Sequence, residues 1–366
     1  MKKICVIVVE YNPFHNGHIY HANKARELTN CDVLIGIMSG NFVQRGEVAI
    51  IDKWKRVNTA LDYGLDLIVE LPYIYANQSA SNFAKGAITI AKLLKANYLV
   101  FGSEINDIEA LKELASVNIN VDNLKENMKK GYSFPYSYSL LAGSYYPNDI
   151  LGIAYLKELN NTNIIPMCIQ RTNNYYDLDI NNSISSASAI RNATYNNKEI
   201  SHTTKMTLDY HNCNDNYFNY LKLLLMTLPK CQLKNIFLVN EGIENHLFKT
   251  IKNSDNYDDF INKSITKRYT KGRIQRVCMN IINHITTDEV ANLKPLDYIR
   301  PLGFNKTGQL YLKDIKKQLY IASDFSMIPK GYQDMEIKTT YTYISVLDES
   351  IKKEVLKREL SGPIIK

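Results

Sequence analysis

Residues 10–21 read EYNPFHNGHIYH and directly follow the apolar run ICVIVV at residues 4–9. A continuous run rich in β-branched residues is typical of a strand that is buried on both faces of a parallel sheet. The residues after it predict a tight turn and a helix that begins near His18, because Pro13 restricts the backbone and Gly17 allows close approach. In a doubly wound sheet, ligands bind beyond the carboxyl ends of the strands, so this turn is the first candidate for a binding site.

The turn has the chemistry of a phosphate-binding site. A helix that begins here would offer unpaired N–H groups and a partial positive charge at its N-terminus. His15 and His18 lie three residues apart around the turn, so we expect both imidazoles to face one phosphate chain. Fixed donors and imidazoles stabilise the charge that develops when an α-phosphate is attacked, and no protein nucleophile is needed. We therefore predict that His15 and His18 are the catalytic residues.

Two other interpretations of these histidines stay open. The pair could form half of a metal site, but no third ligand at a suitable spacing stands out, and we predict no metal site. The histidines could also be ordinary turn residues, with His21 covering the flank of the helix.

Strand and helix patterns alternate through the first half of the chain. Strands are predicted at residues 4–9, 32–38, 65–71, 98–101 and 164–170, with helices at 18–29, 52–63, 79–95 and 107–131 between them. This alternation is typical of right-handed βαβ units in a doubly wound parallel sheet. After about residue 204 the pattern becomes mainly helical, at residues 206–228, 233–251 and 255–261, and an apolar stripe at i, i+3 and i+4 runs through residues 274–285. We predict an N-terminal α/β domain at residues 1–204 and a mainly helical domain at residues 205–366.

Composition sets only loose limits on function. The chain carries 44 Lys+Arg and 37 Asp+Glu, a net charge of +7, which permits a polyanionic partner such as RNA but suits a mildly basic enzyme equally well. Its six cysteines are scattered and form no C-x-x-C pair, so neither a disulfide framework nor a zinc knuckle is expected. The first apolar run is too short for a signal peptide, and no run of about 18 apolar residues follows. We therefore expect no membrane partner and a cytoplasmic location.

Two motifs resemble those of a known superfamily. HNGH at residues 15–18 resembles the H-x-G-H motif of the nucleotidylyltransferase superfamily, and ISSASAIR at residues 184–191 resembles its I-S-S-x-x-I-R motif, with one extra residue. The resemblance implies that the N-terminal domain is a nucleotidylyltransferase-like ATP-binding domain. It also implies that Ser186 and Arg191 act at the phosphates, which suits a helix-capping serine and a forked guanidinium.

Longer strings narrow the resemblance. VVEYNPFHNGHIYH, MSGNFVQRGE, DLIVELP, FGSE, PNDILG and YIRPLGFN, spread from Val8 to about Asn305, resemble the tRNA(Met) cytidine acetate ligase family. That family implies an ATP-dependent enzyme that converts acetate into acetyl-adenylate and pyrophosphate. The acetyl group then passes to N4 of the wobble cytidine of elongator tRNA(Met). ATP, acetate and tRNA are the implied substrates, and the need for Mg²⁺ and the oligomeric state stay open.

The family's ATP contacts can be carried over where the strings match. They are Val8, Val9, Glu10, Tyr11, Asn12, Pro13, Phe14, His15, Asn16, Gly17, His18, Ile19, Tyr20, His21, Gly102, Asn148 and Arg171. Gly102 could instead serve only its turn, and Asn148 could cap the helix that follows. The sequence has Asp149 where the family pattern implies a second asparagine, and the role of Asp149 stays open.

A basic cluster in the helical half is the candidate tRNA contact. It comprises Lys267, Arg268, Lys271, Arg273 and Arg276, with Tyr269 among them. Basic charge beside an aromatic ring suits phosphate neutralisation and base stacking. A plain solvated helix face is the alternative.

Two other functions stay open from sequence. The protein could be an adenylyltransferase for a small phosphorylated metabolite, with no dependence on tRNA. It could also be a non-catalytic RNA-binding protein with a vestigial nucleotide site. Gln44, Arg45 and the cluster of Asp52, Lys53 and Trp54 are second-tier candidates for substrate binding.

Overall fold

The structure is a computed structural model and describes residues 2–117, 123, 126, 127, 130, 137, 149–171, 180 and 183–366. The first half contains β1 (Ile4–Val9), α1 (Asn16–Thr29), β2 (Val33–Ser39), β3 (Phe42–Val43), β4 (Glu47–Val48), α2 (Lys53–Asp62), β5 (Leu67–Leu71), α3 (Tyr73–Ala76), α4 (Ala80–Leu93), β6 (Tyr98–Ser103), α5 (Ile108–Ser116), α6 (Asp149–Leu159), β7 (Ile165–Gln170) and α7 (Ala187–Tyr195). The second half contains α8 (Phe218–Thr227), α9 (Lys230–Asn235), α10 (Ile243–Ile251), α11 (Tyr257–Ser264), α12 (Lys271–Ile282), α13 (Thr287–Ala291), β8 (Tyr298–Ile299), β9 (Pro301–Phe304), α14 (Lys306–Ile315), β10 (Tyr320–Ile321), α15 (Lys330–Ile344), α16 (Glu349–Glu359) and β11 (Ile364–Ile365).

A seven-stranded sheet organises the molecule, in the order β11-β9-β5-β2-β1-β6-β7. Strands β5, β2, β1, β6 and β7 pair in parallel, and β1 is central. The chain builds outward from β1 to β2 and β5, then returns to add β6 and β7 on the other side. The predicted doubly wound sheet is therefore confirmed, and its topological switch point lies between β1 and β6.

Both faces of β1 are buried, as the unbroken apolar run predicts. Cys5 and Ile7 belong to the core cluster that contains α1 and α2 side chains, whereas Ile4 and Val6 belong to the cluster that contains α4 side chains. Successive residues of a strand face opposite sides of the sheet, so β1 divides the core into an α1 face and an α4 face.

One edge of the sheet departs from the parallel expectation. β9 pairs antiparallel with β5, and β11 pairs parallel with β9. Both strands lie after residue 204, so the sheet contains strands from both sides of the predicted domain boundary at 204/205. That boundary stays a prediction. These strands are only four and two residues long, too short for a periodic sequence pattern to indicate them.

Helix bounds in the second half also differ from the expectation. The helical pattern at residues 206–228 becomes a helix only from Phe218. The pattern at 233–251 is split between α9 and α10, where Leu238, Glu241 and Gly242 take positive φ values of 69°, 57° and 80°. Left-handed residues end a helix, so periodicity alone could not reveal the break. No helix among the described residues is both long and apolar enough to cross a bilayer.

A buried ion cluster fixes the C-terminal helix to the sheet. A guanidinium nitrogen of Arg300 lies 2.6 Å from Glu70 Oε2 and 2.8 Å from Glu359 Oε1, and Lys53 Nζ lies 2.9 Å from Glu359 Oε2. Lys53 also contacts Glu70. Burial would favour the neutral acid, but Arg300 and Lys53 outweigh it and hold the pKa of Glu359 below its usual value. Lys53, a second-tier substrate candidate from sequence, therefore has a structural role.

We predict that Arg300→Met destabilises the fold by about 3–5 kcal/mol, because it leaves two buried carboxylates short of positive charge. The measurement is the free energy of unfolding from urea denaturation. Lys330→Met is the matched control, since Lys330 and Asp334 pair at 2.7 Å with side chains 79% and 45% exposed. An exposed pair contributes about 0–1 kcal/mol, so equal losses in the two variants would contradict the prediction.

Candidate active site

A cavity of about 310 Å³ opens at the carboxyl ends of β1 and β6, at the switch point of the sheet. Its lining comes from the end of β1 with the turn into α1, the loop around residues 43–47, the ends of β6 and β7, the start of α7, and helices α4 and α6. Predicted ATP-binding residues that line it are Val8, Val9, Glu10, Tyr11, Asn12, His15, Gly17, His18, Tyr20, His21, Gly102, Arg171, Ser186 and Arg191. The fold thus brings together two motifs that lie far apart in the sequence.

Four other predicted residues of the turn, Pro13, Phe14, Asn16 and Ile19, do not line this cavity in the described part of the chain. Phe14 is fully buried in the core. The Asn16 amide donates to the carbonyls of Ser183 and His202 at 2.7 and 2.9 Å, which ties the turn to the chain around α7. These side chains shape the turn that carries the lining residues.

Asn148 lies outside the described residues, but its neighbour Asp149 has a clear place. Asp149 is fully buried at the start of α6. Its Oδ1 accepts hydrogen bonds from Ser103 Oγ at 2.7 Å and from the Glu104 N–H at 3.0 Å. Asp149 therefore joins α6 to the end of β6, beside the cavity.

His15 and His18 cap helix α1 with their own side chains. His15 Nδ1 accepts from the Gly17 N–H, and His18 Nδ1 accepts from the His15 N–H, both at 3.1 Å. The two rings lie 3.8 Å apart between centroids. Because each Nδ1 is an acceptor, the proton of each neutral ring resides on Nε2. Both lining histidines can thus offer an Nε2–H donor to a ligand.

The helix N-terminus does not offer the free N–H groups that the sequence led us to expect. The N–H of Asn16 donates to the Thr203 carbonyl at 3.0 Å, and the N–H of His18 donates to the His15 carbonyl at 2.8 Å. The Gly17 N–H is bonded to the His15 ring. Since these three donors already have partners, the imidazoles replace them as the groups that face a phosphate.

All three histidines of the turn are held neutral. Burial lowers the pKa of His15 to about 3, with Arg171 and Arg191 adding to the effect. Burial lowers the pKa of His18 well below its usual value, and repulsion from His15 and His21 when they are protonated and from Arg171 adds to the effect. Burial also lowers the pKa of His21 to about 4, although its Nε2 lies 3.2 Å from the Val100 carbonyl. The histidines therefore act as neutral donors and not as cations.

Arginines supply the positive charge. Arg171 follows β7, and a Cβ placed on Gly102 would lie 3.3 Å from its Cγ, so this glycine leaves room for the arginine side chain. Arg191 donates to the Asn12 carbonyl at 2.8 Å and pairs with Glu47 at 3.1 Å. Ser186 caps α7 by accepting from the Ala189 N–H at 3.1 Å. A phosphate chain in this cavity would therefore meet cations and neutral donors from separate elements.

Several lining residues were missed or ranked low from sequence. Gln44 and Arg45 line the cavity, and an apolar wall is formed by Phe83, Phe101, Leu151, Gly152 and Tyr155. The wall comes from α4, β6 and α6, and each member reads as an ordinary core residue in its own element. No sequence signal joins them, because only the packing of α4 against α6 brings them together.

The basic cluster is split by its surroundings. Lys267 and Lys271 are exposed. Arg273 and Arg268 instead pair with Glu241 at 3.0 and 3.4 Å. Tyr269 is 7% exposed and donates to the Glu241 carbonyl at 2.9 Å, so this ring is held within the fold, and base stacking on it stays a prediction.

Arg276 lies apart from that surface, at the loop beside the cavity. Its guanidinium donates to the Gln44 carbonyl at 3.4 Å, and burial together with Arg273 and Arg45 lowers its pKa to about 10. Gly46 has a φ of 75° and packs closely on α12, since a Cβ on this residue would lie 2.3 Å from the backbone nitrogen of Arg276. The helical half therefore contacts the loop that forms one wall of the cavity.

Similar proteins extend along almost the whole chain. The family described as HIGH Nucleotidyl Transferase matches residues 1–359. The tRNA(Met) cytidine acetate ligase of Anoxybacillus flavithermus is 37% identical over 98% of each chain, and that of Bacillus subtilis is 35% identical over 95% of this chain and 93% of the relative. The crystal structure of apo Thermotoga maritima TmcAL superposes with a TM-score of 0.88 at 30% identity over 99% of each chain. The same protein bound with alpha-thio ATP superposes with a TM-score of 0.85.

We predict that the His15 and His21 imidazoles titrate near pH 3 and pH 4 in the folded protein. Because unfolded histidines titrate near pH 6.5, the unfolded chain binds more protons below that pH, and stability should fall as pH is lowered from about 6.5. The measurement is the ring ¹⁵N chemical shift against pH, with the urea-unfolded protein as the reference. Folded-state midpoints near 6.5 would contradict the prediction.

Proposed function

This chain belongs to the HIGH nucleotidyl transferase family and, within it, to the tRNA(Met) cytidine acetate ligases, and from that premise we propose the chemistry of its cavity. In the proposed reaction, acetate and ATP give acetyl-adenylate and pyrophosphate, and the acetyl group then passes to N4 of the wobble cytidine of elongator tRNA(Met). The observation that carries the proposal is the meeting of the His15–His18 cap with Arg171 and Arg191 in one cavity at the switch point of the sheet.

The first step places the largest demand on charge stabilisation. An acetate oxygen attacks the α-phosphorus, and the bond to the β-phosphate oxygen breaks with its electron pair leaving on pyrophosphate. His15 and His18 donate from Nε2 to the phosphate oxygens in the transition state. Arg171 and Arg191 offset the charge of the triphosphate. Removing one preorganised donor of this kind from an acyl-transfer enzyme raises the activation free energy by about 2.7–4 kcal/mol.

The second substrate approaches from the helical half. The exposed Lys271 begins α12, and the exposed Lys267 lies four residues before it. The same helix carries Arg276, which contacts the cavity loop. In this proposal a phosphate backbone bound at these lysines lies on the half of the chain that packs against the cavity loop. A tRNA substrate also places the reaction in the cytoplasm.

The proposed function is tested by incubating the protein with ATP, labelled acetate and bulk tRNA and then analysing the nucleosides. Label on cytidine supports the ligase. A tRNA-independent adenylyl transfer to a phosphorylated metabolite, with no label on cytidine, would favour a small-metabolite adenylyltransferase. RNA binding without any acetate-dependent ATP–pyrophosphate exchange would favour the non-catalytic alternative.

We predict that His15→Asn and His18→Gln each lower acetate-dependent ATP–pyrophosphate exchange about 100- to 1000-fold, because each removes an imidazole donor. Asparagine is a good N-cap residue and glutamine suits the third helical position, so both variants preserve capping of α1. His211→Asn is the control, since His211 is exposed and does not line the cavity. Full exchange activity in both turn variants would contradict the roles assigned to these histidines.

We predict that Lys267→Ala/Lys271→Ala weakens tRNA binding and makes it less dependent on salt. Each lysine that contacts phosphate contributes about one unit to the slope of log affinity against log salt concentration. The measurement is filter binding at several salt concentrations. The matched control is Lys316→Ala/Lys317→Ala, an exposed lysine pair at the end of α14. Equal effects of the two double variants would indicate a general charge effect and contradict a specific contact.

A further inference from the structure

Glu10 is a carboxylate in the wall of a cavity proposed to hold a triphosphate. It directly follows β1, and its Oε1 accepts the Gln44 N–H at 2.7 Å. Its backbone carbonyl accepts from the buried Arg56. Both contacts fix the carboxylate in place. A negative charge here repels phosphate and acetate, so its position calls for a ligand group that donates hydrogen bonds.

The position of Glu10 separates it from the histidines. Val8 packs against the core on the α4 face of β1. Because side chains alternate between the two faces along a strand, Glu10, two residues later, faces the same side as Val8. The turn that carries Phe14 and α1 packs on the opposite face. Glu10 therefore lies toward the apolar wall of the cavity, while His15 and His18 lie on the other side of the strand end.

The apolar wall faces the same space. Phe101 and Tyr155 lie 5.8 Å apart between ring centroids, and Phe83, Leu151 and Gly152 line the cavity with them. Gly152 lets α6 pack closely on β6, since a Cβ there would lie 2.7 Å from the Phe101 ring. Tyr155 and Glu10 both line the cavity, and burial together with the charge of Glu10 raises the pKa of Tyr155. A flat ligand with an N–H donor at its edge suits this combination.

We propose that the apolar wall and Glu10 hold the target cytosine, and that Glu10 removes the N4 proton during acetyl transfer. This inference rests on the proposed function. Carboxylates accept hydrogen bonds from the exocyclic N4 amine of cytosine, and unstacked bases pack on aromatic side chains. The target base must leave its neighbours in the loop to reach such a pocket.

The transfer step then balances as follows. The lone pair of N4 forms a bond to the acetyl carbonyl carbon. The bond from that carbon to the phosphate oxygen breaks, and its electron pair leaves with AMP. The N4 proton passes to the Glu10 carboxylate, which later releases it to solvent. No further co-reactant is needed.

The electrostatics of Glu10 suit a base. Burial raises its pKa above the usual value for a glutamate, and Glu47 adds to the rise, while the Gln44 N–H, Arg45 and Arg191 oppose it. Arg56, which donates to the Glu10 carbonyl, and Tyr155, which lines the same cavity, are further titratable groups around it in the described part of the chain. A base with a raised pKa is more effective near neutral pH. Transfer should therefore increase with pH until Glu10 is fully ionised.

The test uses Glu10→Gln, which keeps an oxygen for the Gln44 N–H but removes the base. Two rates are measured: acetate-dependent ATP–pyrophosphate exchange, and single-turnover acetyl transfer to tRNA from added acetyl-adenylate. We expect transfer to fall at least about 100-fold and exchange to fall less than about tenfold, because general-base catalysis typically contributes 10²–10⁴-fold. Glu10→Asp should restore part of the transfer, and the rise of transfer with pH should be lost in Glu10→Gln.

Glu113→Gln is the matched control, because Glu113 is exposed on α5 and does not line the cavity, so a glutamate charge is removed while the proposed base stays in place. Its ratio of transfer to exchange should stay within about threefold of the wild-type ratio. A ratio for Glu10→Gln that matches the control would overturn the role of Glu10 and leave the proposed function standing. Absence of acetate-dependent exchange in the wild-type protein would instead overturn the proposed function itself.

Discussion

The reciprocal hydrogen bonds between the His15–His18 pair and the first turn of α1 are the interaction on which the site depends. A helix usually takes its N-cap from serine, threonine, aspartate or asparagine. Here the cap is an imidazole, and the third helical residue returns the bond with another imidazole. Capping fixes the orientation of both rings and leaves Nε2 of each as the protonated nitrogen. Folding of the helix and placement of two donors are thus the same event.

Other contacts hold this turn against segments that are distant in sequence. Arg191 of α7 bonds the Asn12 carbonyl and Glu47, so one side chain joins the second motif to the turn and to the loop between β3 and β4. That loop in turn packs on α12 through Gly46 and Arg276. The loop that lines the cavity is therefore held by contacts from both halves of the chain.

Sequence reasoning was most successful where one local pattern decides the structure. The apolar run at residues 4–9 coincides with β1, and the turn that follows it lines the cavity at the end of the strand. The start of α1 was placed two residues late, because histidine is not a typical capping residue and its role is visible only in three dimensions. The apolar wall, the edge strands β9 and β11, and the burial of Tyr269 were missed or misjudged for a related reason. Each depends on contacts between distant segments, which periodicity within one element does not encode.

The separation of proton donors from cations has a consequence for the chemistry. If the histidines were charged, their strength as donors would vary with pH across the physiological range. Burial beside Arg171 and Arg191 keeps them neutral and leaves the positive charge on arginines, whose charge does not change in that range. The charges of these histidines and arginines are thus constant near neutral pH, and in the proposed transfer step Glu10 is the group whose ionisation governs the rate. Because Glu10 and the two histidines line one cavity at the end of β1, the proposed activation and transfer steps share a single site.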